Sequence, residues 1–149
     1  MTNNLLKIIL ADDDEADRLL FKEAFFELKS GITIETVNDG MELMNLMHST
    51  KSEDLPQILF LDINMPQKTG MDCLKEIRAD DRFKNVSIAI YSTSSSEKDM
   101  EQTFIHGANV YIHKPNSFEK LKRVLEKAII NAKVYQDPPF NKENFLLNA

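Results

Sequence analysis

The run Ile58-Leu59-Phe60-Leu61 is apolar at every position and stops at a carboxylate, Asp62. A strand with one wet face alternates apolar and polar residues. A strand that does not alternate is covered on both faces, as in a parallel sheet with helices above and below it. Lys7–Leu10, Val86–Tyr91 and Ala108–His113 read as further strands, whereas Ile32–Val37 alternates and reads as a less buried edge strand. Helical patterns lie between them. Asp14–Lys29 has Asp14 as a candidate N-cap and Ala16, Leu19, Leu20, Ala24 and Phe26 among its apolar positions. A Met-rich helix runs from the turn Asn38-Asp39-Gly40 through Met47, and Thr69-Gly70 opens another with Met71, Leu74 and Ile77 at helical spacing. Ser96–His106 and Ser117–Val134 follow, the last with an apolar stripe of Phe118, Leu121, Val124, Leu125, Ala128, Ile129 and Ala132. Parallel neighbours need crossover connections, and right-handed crossovers cover both faces, so the pattern predicts an α/β fold: a doubly wound, five-stranded parallel sheet.

A chain of 149 residues can bury a full core without disulfide or metal staples. Its single cysteine, Cys73, forms no intramolecular disulfide and, with no apolar N-terminal signal segment, points to the cytoplasm. No stretch is apolar enough to span a membrane. The net charge of −6 argues against direct nucleic-acid binding. The basic set Lys114, Lys120, Lys122, Arg123, Lys127 and Lys133 reads as a solvated helix face. Residues 5–135 are expected to form one domain. Residues 136–149 form a tail without a fold of its own, whose Phe140, Phe145, Leu146 and Leu147 either dock on the domain or stay loose.

In open α/β sheets ligands gather at the carboxyl ends of strands. Here the first strand ends at Asp12-Asp13, the third at Asp62, the fourth at Ser92 and the fifth at Lys114. Three carboxylates, a hydroxyl and an ammonium should therefore converge in one crevice. Two like charges about 4 Å apart repel by roughly 4 kcal/mol at an effective dielectric of 20. Such a cluster either holds a proton or recruits a divalent cation, and an all-oxygen set suits Mg²⁺ or Mn²⁺ rather than Zn²⁺. Mg²⁺ commonly pairs one or two carboxylates with a phosphate, so a phosphoryl group is the expected missing ligand.

Asp12-Asp13, Asp62-Ile63-Asn64-Met65-Pro66, Ser92 and Lys114-Pro115, with Tyr111 three residues before the lysine, resemble the receiver domain of two-component response regulators, close to the stand-alone CheY-like kind. The resemblance implies the flavodoxin/CheY-like (βα)5 strand order 2-1-3-4-5. It implies Asp62 as the residue that accepts a phosphoryl group from a histidine kinase or a histidine phosphotransfer protein. Asp13 and Asp62 would bind Mg²⁺ directly, Asp12 through water, and Asn64 through its backbone carbonyl, with Mn²⁺ able to substitute. Lys114 and Ser92 would stabilise the phosphoryl group. Ser92 and Tyr111 would form the switch, Tyr111 rotating inward as Ser92 moves. A cis peptide would precede Pro115. A downstream protein target would dock on the face of helix 4, strand 5 and helix 5, and the protein would be a monomer or, from Ile130 and Val134, a weak homodimer.

Duller readings stand beside these. Asp12 and Asp13 could be helix-start acids, Tyr111 a half-buried strand aromatic, and Ser94–Ser96 a polar loop offering an N-cap. His48, His106 and His113 read as surface residues, Cys73 as core, and Met41, Met44 and Met47 as helix packing. Two rivals carry a similar acceptor. A haloacid-dehalogenase-like phosphatase needs an acid two residues after its nucleophile, where this chain has Asn64. A non-phosphorylated pseudo-receiver typically lacks one of the key residues, all of which are present here.

Overall fold

Residues 6–28, 31–132 and 145–148 are described in the computed structural model. They form β1 (Leu6–Ala11), α1 (Glu15–Leu28), β2 (Ile32–Val37), α2 (Gly40–Ser49), β3 (Ile58–Leu61), α3 (Gly70–Ala79), β4 (Ser87–Ser92), α4 (Glu97–Ile105), β5 (Val110–His113), α5 (Phe118–Ala132) and β6 (Leu146–Leu147). The strands form one sheet in the order β2-β1-β3-β4-β5-β6, with every neighbouring pair parallel. Local chemistry starts several helices. The side chain of Asp39 accepts the Glu42 N–H, that of Thr69 the Asp72 N–H, and that of Ser96 the Asp99 N–H, each satisfying a donor the helix cannot.

All four residues of β3 are buried, which accounts for its unbroken apolar run. Leu59 and Leu61 face a layer with α2, α3 and α4, and Ile58 and Phe60 face one with α1 and α5. In the second layer the Phe21 ring meets Phe60, Phe25 and Tyr91 edge-on at centroid separations of 4.9, 5.0 and 5.6 Å. The buried face of α1 is therefore Phe21, Ala24 and Phe25, at i, i+3 and i+4. Of the apolar positions singled out in the sequence only Ala24 belongs to it, and Leu19, Leu20 and Phe26 are exposed. β2 has alternating exposure, as an edge strand should. At the far end of the sheet from the candidate site, the Arg78 guanidinium donates to the carbonyls of Gly107, Val86 and Phe83 and to Asn109 Oδ1. Burial lowers its pKa to about 10, leaving it charged.

The expected sheet of five strands is one short. Without β6, the outer side of β5 would be an open edge of unpaired backbone groups. Leu146 and Leu147 pair there with Tyr111 and Ile112, and Phe145 beside them is buried. That part of the tail has joined the domain. The expectations placed on Lys133, Val134 and Phe140 lie outside the described residues.

Gly70 shows how tightly the fold holds the loop after β3. A Cβ built on it would lie 2.1 Å from the Asp62 carbonyl oxygen and 2.7 Å from the Ile63 Cα. These are backbone atoms, so a side chain can be admitted only by moving the segment that carries Asp62. Gly70→Ala is expected to lower stability by about 1–3 kcal/mol in urea denaturation. An unchanged midpoint would show that the segment yields freely.

Candidate functional site

The strand ladders continue past the strand ends and set the directions of the site residues. The Asp12 N–H donates to Val37, the Asp62 N–H to Ala11 and the Lys114 N–H to Ser92, at 3.1, 3.0 and 2.8 Å. Register pairs Ala11 with Leu61, Leu61 with Ile90, and Ser92 with His113, so four strand ends lie level. Carboxylate oxygens of Asp12, Asp13 and Asp62 all come within 4.8 Å of one another. Asp12 and Asp62 are buried and Asp13 is exposed.

Lys114 Nζ sits in the middle, 2.8 Å from Asp12 Oδ2, 2.9 Å from Asp17 Oδ2 and 3.1 Å from Asp62 Oδ2. Its stem carries the charge over the Tyr91 ring, 5.3 Å from the centroid. Burial by itself would lower the lysine's pKa. Its ion pairs with Asp12 and Asp17 and the charge of Asp62 outweigh that and hold it above its ordinary value. Asp12 goes the other way. Burial raises it from 3.8 to about 6, against the pull of Lys114 and the Asp14 N–H.

Asp17 is not among the residues singled out in the sequence. The available signal was position: Asp17 lies in the first turn of the helix that follows the Asp12-Asp13 strand end.

The residues fit a divalent cation. Asp12 Oδ1 accepts the Asp14 N–H and Asp62 Oδ1 the Asn64 N–H, which orients both carboxylates. Asp12 Oδ2 is buried and, among the described residues, has the Lys114 ammonium 2.8 Å away but no hydrogen bond of good geometry. A buried carboxylate oxygen left so is a ready ligand for a hard metal ion. The donors are all oxygens, and His48 and His113 lie exposed elsewhere while His106 caps α4.

Ser92 and Tyr111 meet at one residue. The Ser92 hydroxyl accepts the Ser94 N–H at 3.1 Å, and the Tyr111 hydroxyl donates to the Ser94 carbonyl at 2.8 Å. Ser94 Oγ donates in turn to Asp99 Oδ2 on α4 at 2.6 Å. The strand-end hydroxyl is thereby linked to α4 and β5 through a loop residue that the sequence offers only as a polar position. Tyr111 is fully buried. Burial also raises its pKa.

The Lys114–Pro115 bond differs from expectation: no cis peptide occurs among the described residues. The trans form is the intrinsically favoured one for X–Pro bonds. Cys73 is a core residue, its thiol pushed up to about 11 by burial. Met44 and Met47 are buried and Met41 is exposed.

Asp12 generates a pH prediction. Below pH 3.8 folded and unfolded chains both hold its proton. Between 3.8 and about 6 the unfolded chain has lost it while the native state keeps it, so stability from this group falls as pH rises. The full difference amounts to about 3 kcal/mol, present as a cost at pH 7. In chelator, Asp12→Asn is expected to stabilise the metal-free protein at pH 7 by about 1–3 kcal/mol and by much less at pH 4. Denaturation at both pH values checks this, and a variant no more stable at pH 7 contradicts it.

The sequence profile of the response regulator receiver domain matches residues 8–126. The chain is 30% identical over 122 residues to the probable methanogenesis regulatory protein FilR2 of Methanothrix harundinacea, covering 80% of this chain and 79% of that protein. It is likewise 30% identical to the chemotaxis protein CheY of Pseudomonas aeruginosa, over 82% of this chain and 94% of that one. Among solved structures, the phosphorylated cyanobacterial phytochrome response regulator RcpA superposes with a TM-score of 0.76 at 29% identity, over 89% of this chain and 96% of that one. The Mn²⁺-bound response regulator Rcp1 gives 0.74 at 21% identity, over 91% and 99%, a likeness of fold.

Proposed function

Since this chain belongs to the response regulator receiver domain family, we propose that it is a single-domain response regulator whose Asp62 accepts a phosphoryl group from a histidine kinase or a histidine phosphotransfer protein. Receiver domains are regulatory proteins rather than enzymes that turn over an external substrate, and they act with histidine kinases and downstream targets. The observation that carries the proposal is the pairing of Asp62 with Lys114 at 3.1 Å beside two further carboxylates at the mouth of the sheet. As an Asp62 oxygen bonds to phosphorus, the bond from phosphorus to the donor's histidine nitrogen breaks, leaving an acyl phosphate on Asp62 and a free histidine on the donor.

Asp12, Asp13 and Asp62, with the Asn64 backbone carbonyl, are the residues that would hold Mg²⁺, or Mn²⁺ in its place. The ion, when bound, offsets negative charge on the transferring phosphoryl oxygens. Lys114 supplies a second positive charge and is already oriented by Asp12 and Asp17. Ser92 exchanges its present hydroxyl setting for donation to a phosphoryl oxygen, drawing along the Ser94 N–H that the same oxygen accepts. That exchange moves the loop on which Tyr111 and Asp99 are anchored and so alters the face of α4, β5 and α5, where a protein target docks. The protein works in the cytoplasm, as its one buried thiol allows.

Incubation with Mg²⁺ and a small acyl phosphate, followed by intact-mass measurement, is expected to show one phosphoryl adduct that Asp62→Asn abolishes. No adduct, or one that survives the substitution, overturns the acceptor assignment and leaves a non-phosphorylated binding module.

In the same assay a chelator is expected to suppress the adduct, with Mn²⁺ restoring it in place of Mg²⁺. Lys114→Ala is expected to slow its formation about a hundredfold. A rate indifferent to both changes would remove the metal and the lysine from the reaction.

A further inference from the structure

Phe145 is buried against the domain at the start of the described part of the tail. Its ring lies 5.2 Å from that of Phe104 on α4 and 6.1 Å from that of Tyr111 on β5. Only 4% of Phe145 is exposed, and Tyr111 beneath it is not exposed at all. Leu146 and Leu147 add a parallel strand to β5, and Leu147 packs on the cluster that includes α5. The chain beyond is held as Lys127 Nζ donates to the Asn148 carbonyl at 2.8 Å. One segment thus touches α4, β5 and α5 together. Leu147 and Asn148 also help line a cavity with Lys114, Pro115 and Lys120, just past the end of β5.

The topology favours attachment within one molecule. α5 returns the chain to the end of the sheet where β5 begins, and a strand parallel to β5 must start there. β5, α5 and β6 therefore make one more strand–helix–strand unit, the common way of adding a parallel strand. Tethering by residues 133–144 gives the segment an effective concentration on the order of millimolar, which an untethered competitor must overcome.

We propose that the outer edge of β5 is a strand-acceptor site whose resident occupant is this chain's own Phe145–Asn148 segment, and that a downstream partner docks there by inserting an extended aromatic–aliphatic segment in its place. The aromatic side chain fills the slot between Phe104 and Tyr111, and main-chain hydrogen bonds to β5 supply the rest. The tail is then a gate on the output surface. It also holds Tyr111 inward before any phosphoryl group arrives, so the surface is read by release of the tail and not by the tyrosine alone. The partner half of this proposal rests on the reading of the α4, β5 and α5 face as the docking surface.

The test uses the full chain without a phosphodonor, so its result is independent of the Asp62 adduct. A labelled peptide with the sequence of residues 141–149 is titrated against the wild type and against a Phe145→Ser, Leu147→Asp double variant, with circular dichroism as the check on folding. The expected result is binding to the variant at least tenfold tighter than to the wild type. Equal affinities, or no binding to a folded variant, overturn the proposal. Isotope-filtered NMR on the unmodified protein decides the same point without a substitution. Contacts from Phe145 to Phe104 and Tyr111 within one labelled molecule support the assignment. Contacts found only between molecules, or absent, overturn it.

Discussion

Lys114 holds three carboxylates within 3.1 Å of a single ammonium, in a place where Asp12 and Asp62 are out of water. Repulsion among such carboxylates would open the mouth of the sheet if nothing balanced it, and one lysine does not balance three charges. Part of the remainder is carried by the raised pKa of Asp12 and by the backbone N–H donors of Asp14 and Asn64. Such a cluster is held at a cost in stability. The surrounding fold keeps it from relaxing. Gly70 lets α3 lie directly on the Asp62 backbone, and the ladders of β1, β3 and β5 run on into Asp12, Asp62 and Lys114.

The second constraint is the free side of β5. A parallel sheet ends in unpaired backbone groups, and on this side those groups adjoin the buried Tyr111. Covering the edge with β6 removes an aggregation hazard and places Phe145 against Tyr111. Edge protection thus packs the tail against the tyrosine whose hydroxyl meets the Ser94 loop. Ser94 joins them to the acidic site, since its N–H is held by Ser92 and its carbonyl by Tyr111.

Much of this was legible in the chain. The unbroken run of β3, the alternation of β2 and the N-caps Thr69 and Ser96 each follow from rules that act over a few residues, and the structure has them where the pattern put them. The face of α1 was less legible. It has apolar residues on several sides, so its periodicity is weak, and only packing against Phe60 and Tyr91 selects Phe21 and Phe25 over Leu19, Leu20 and Phe26. β6 was read as tail because two leucines and a phenylalanine are too short a pattern to announce a strand that exists only by pairing with β5.

By itself the sequence determined the layered α/β architecture and the chemical character of the strand ends. Burial on both faces demands uninterrupted apolar runs, and a charged residue marks where each run meets water. Only the tertiary structure decided which groups face one another across the crevice and along the outer edge. Asp17 reaches Lys114 across 97 positions of sequence, and Phe145 reaches Phe104 and Tyr111 from beyond α5. Such pairings depend on how crossovers bring distant segments together, which no local periodicity encodes.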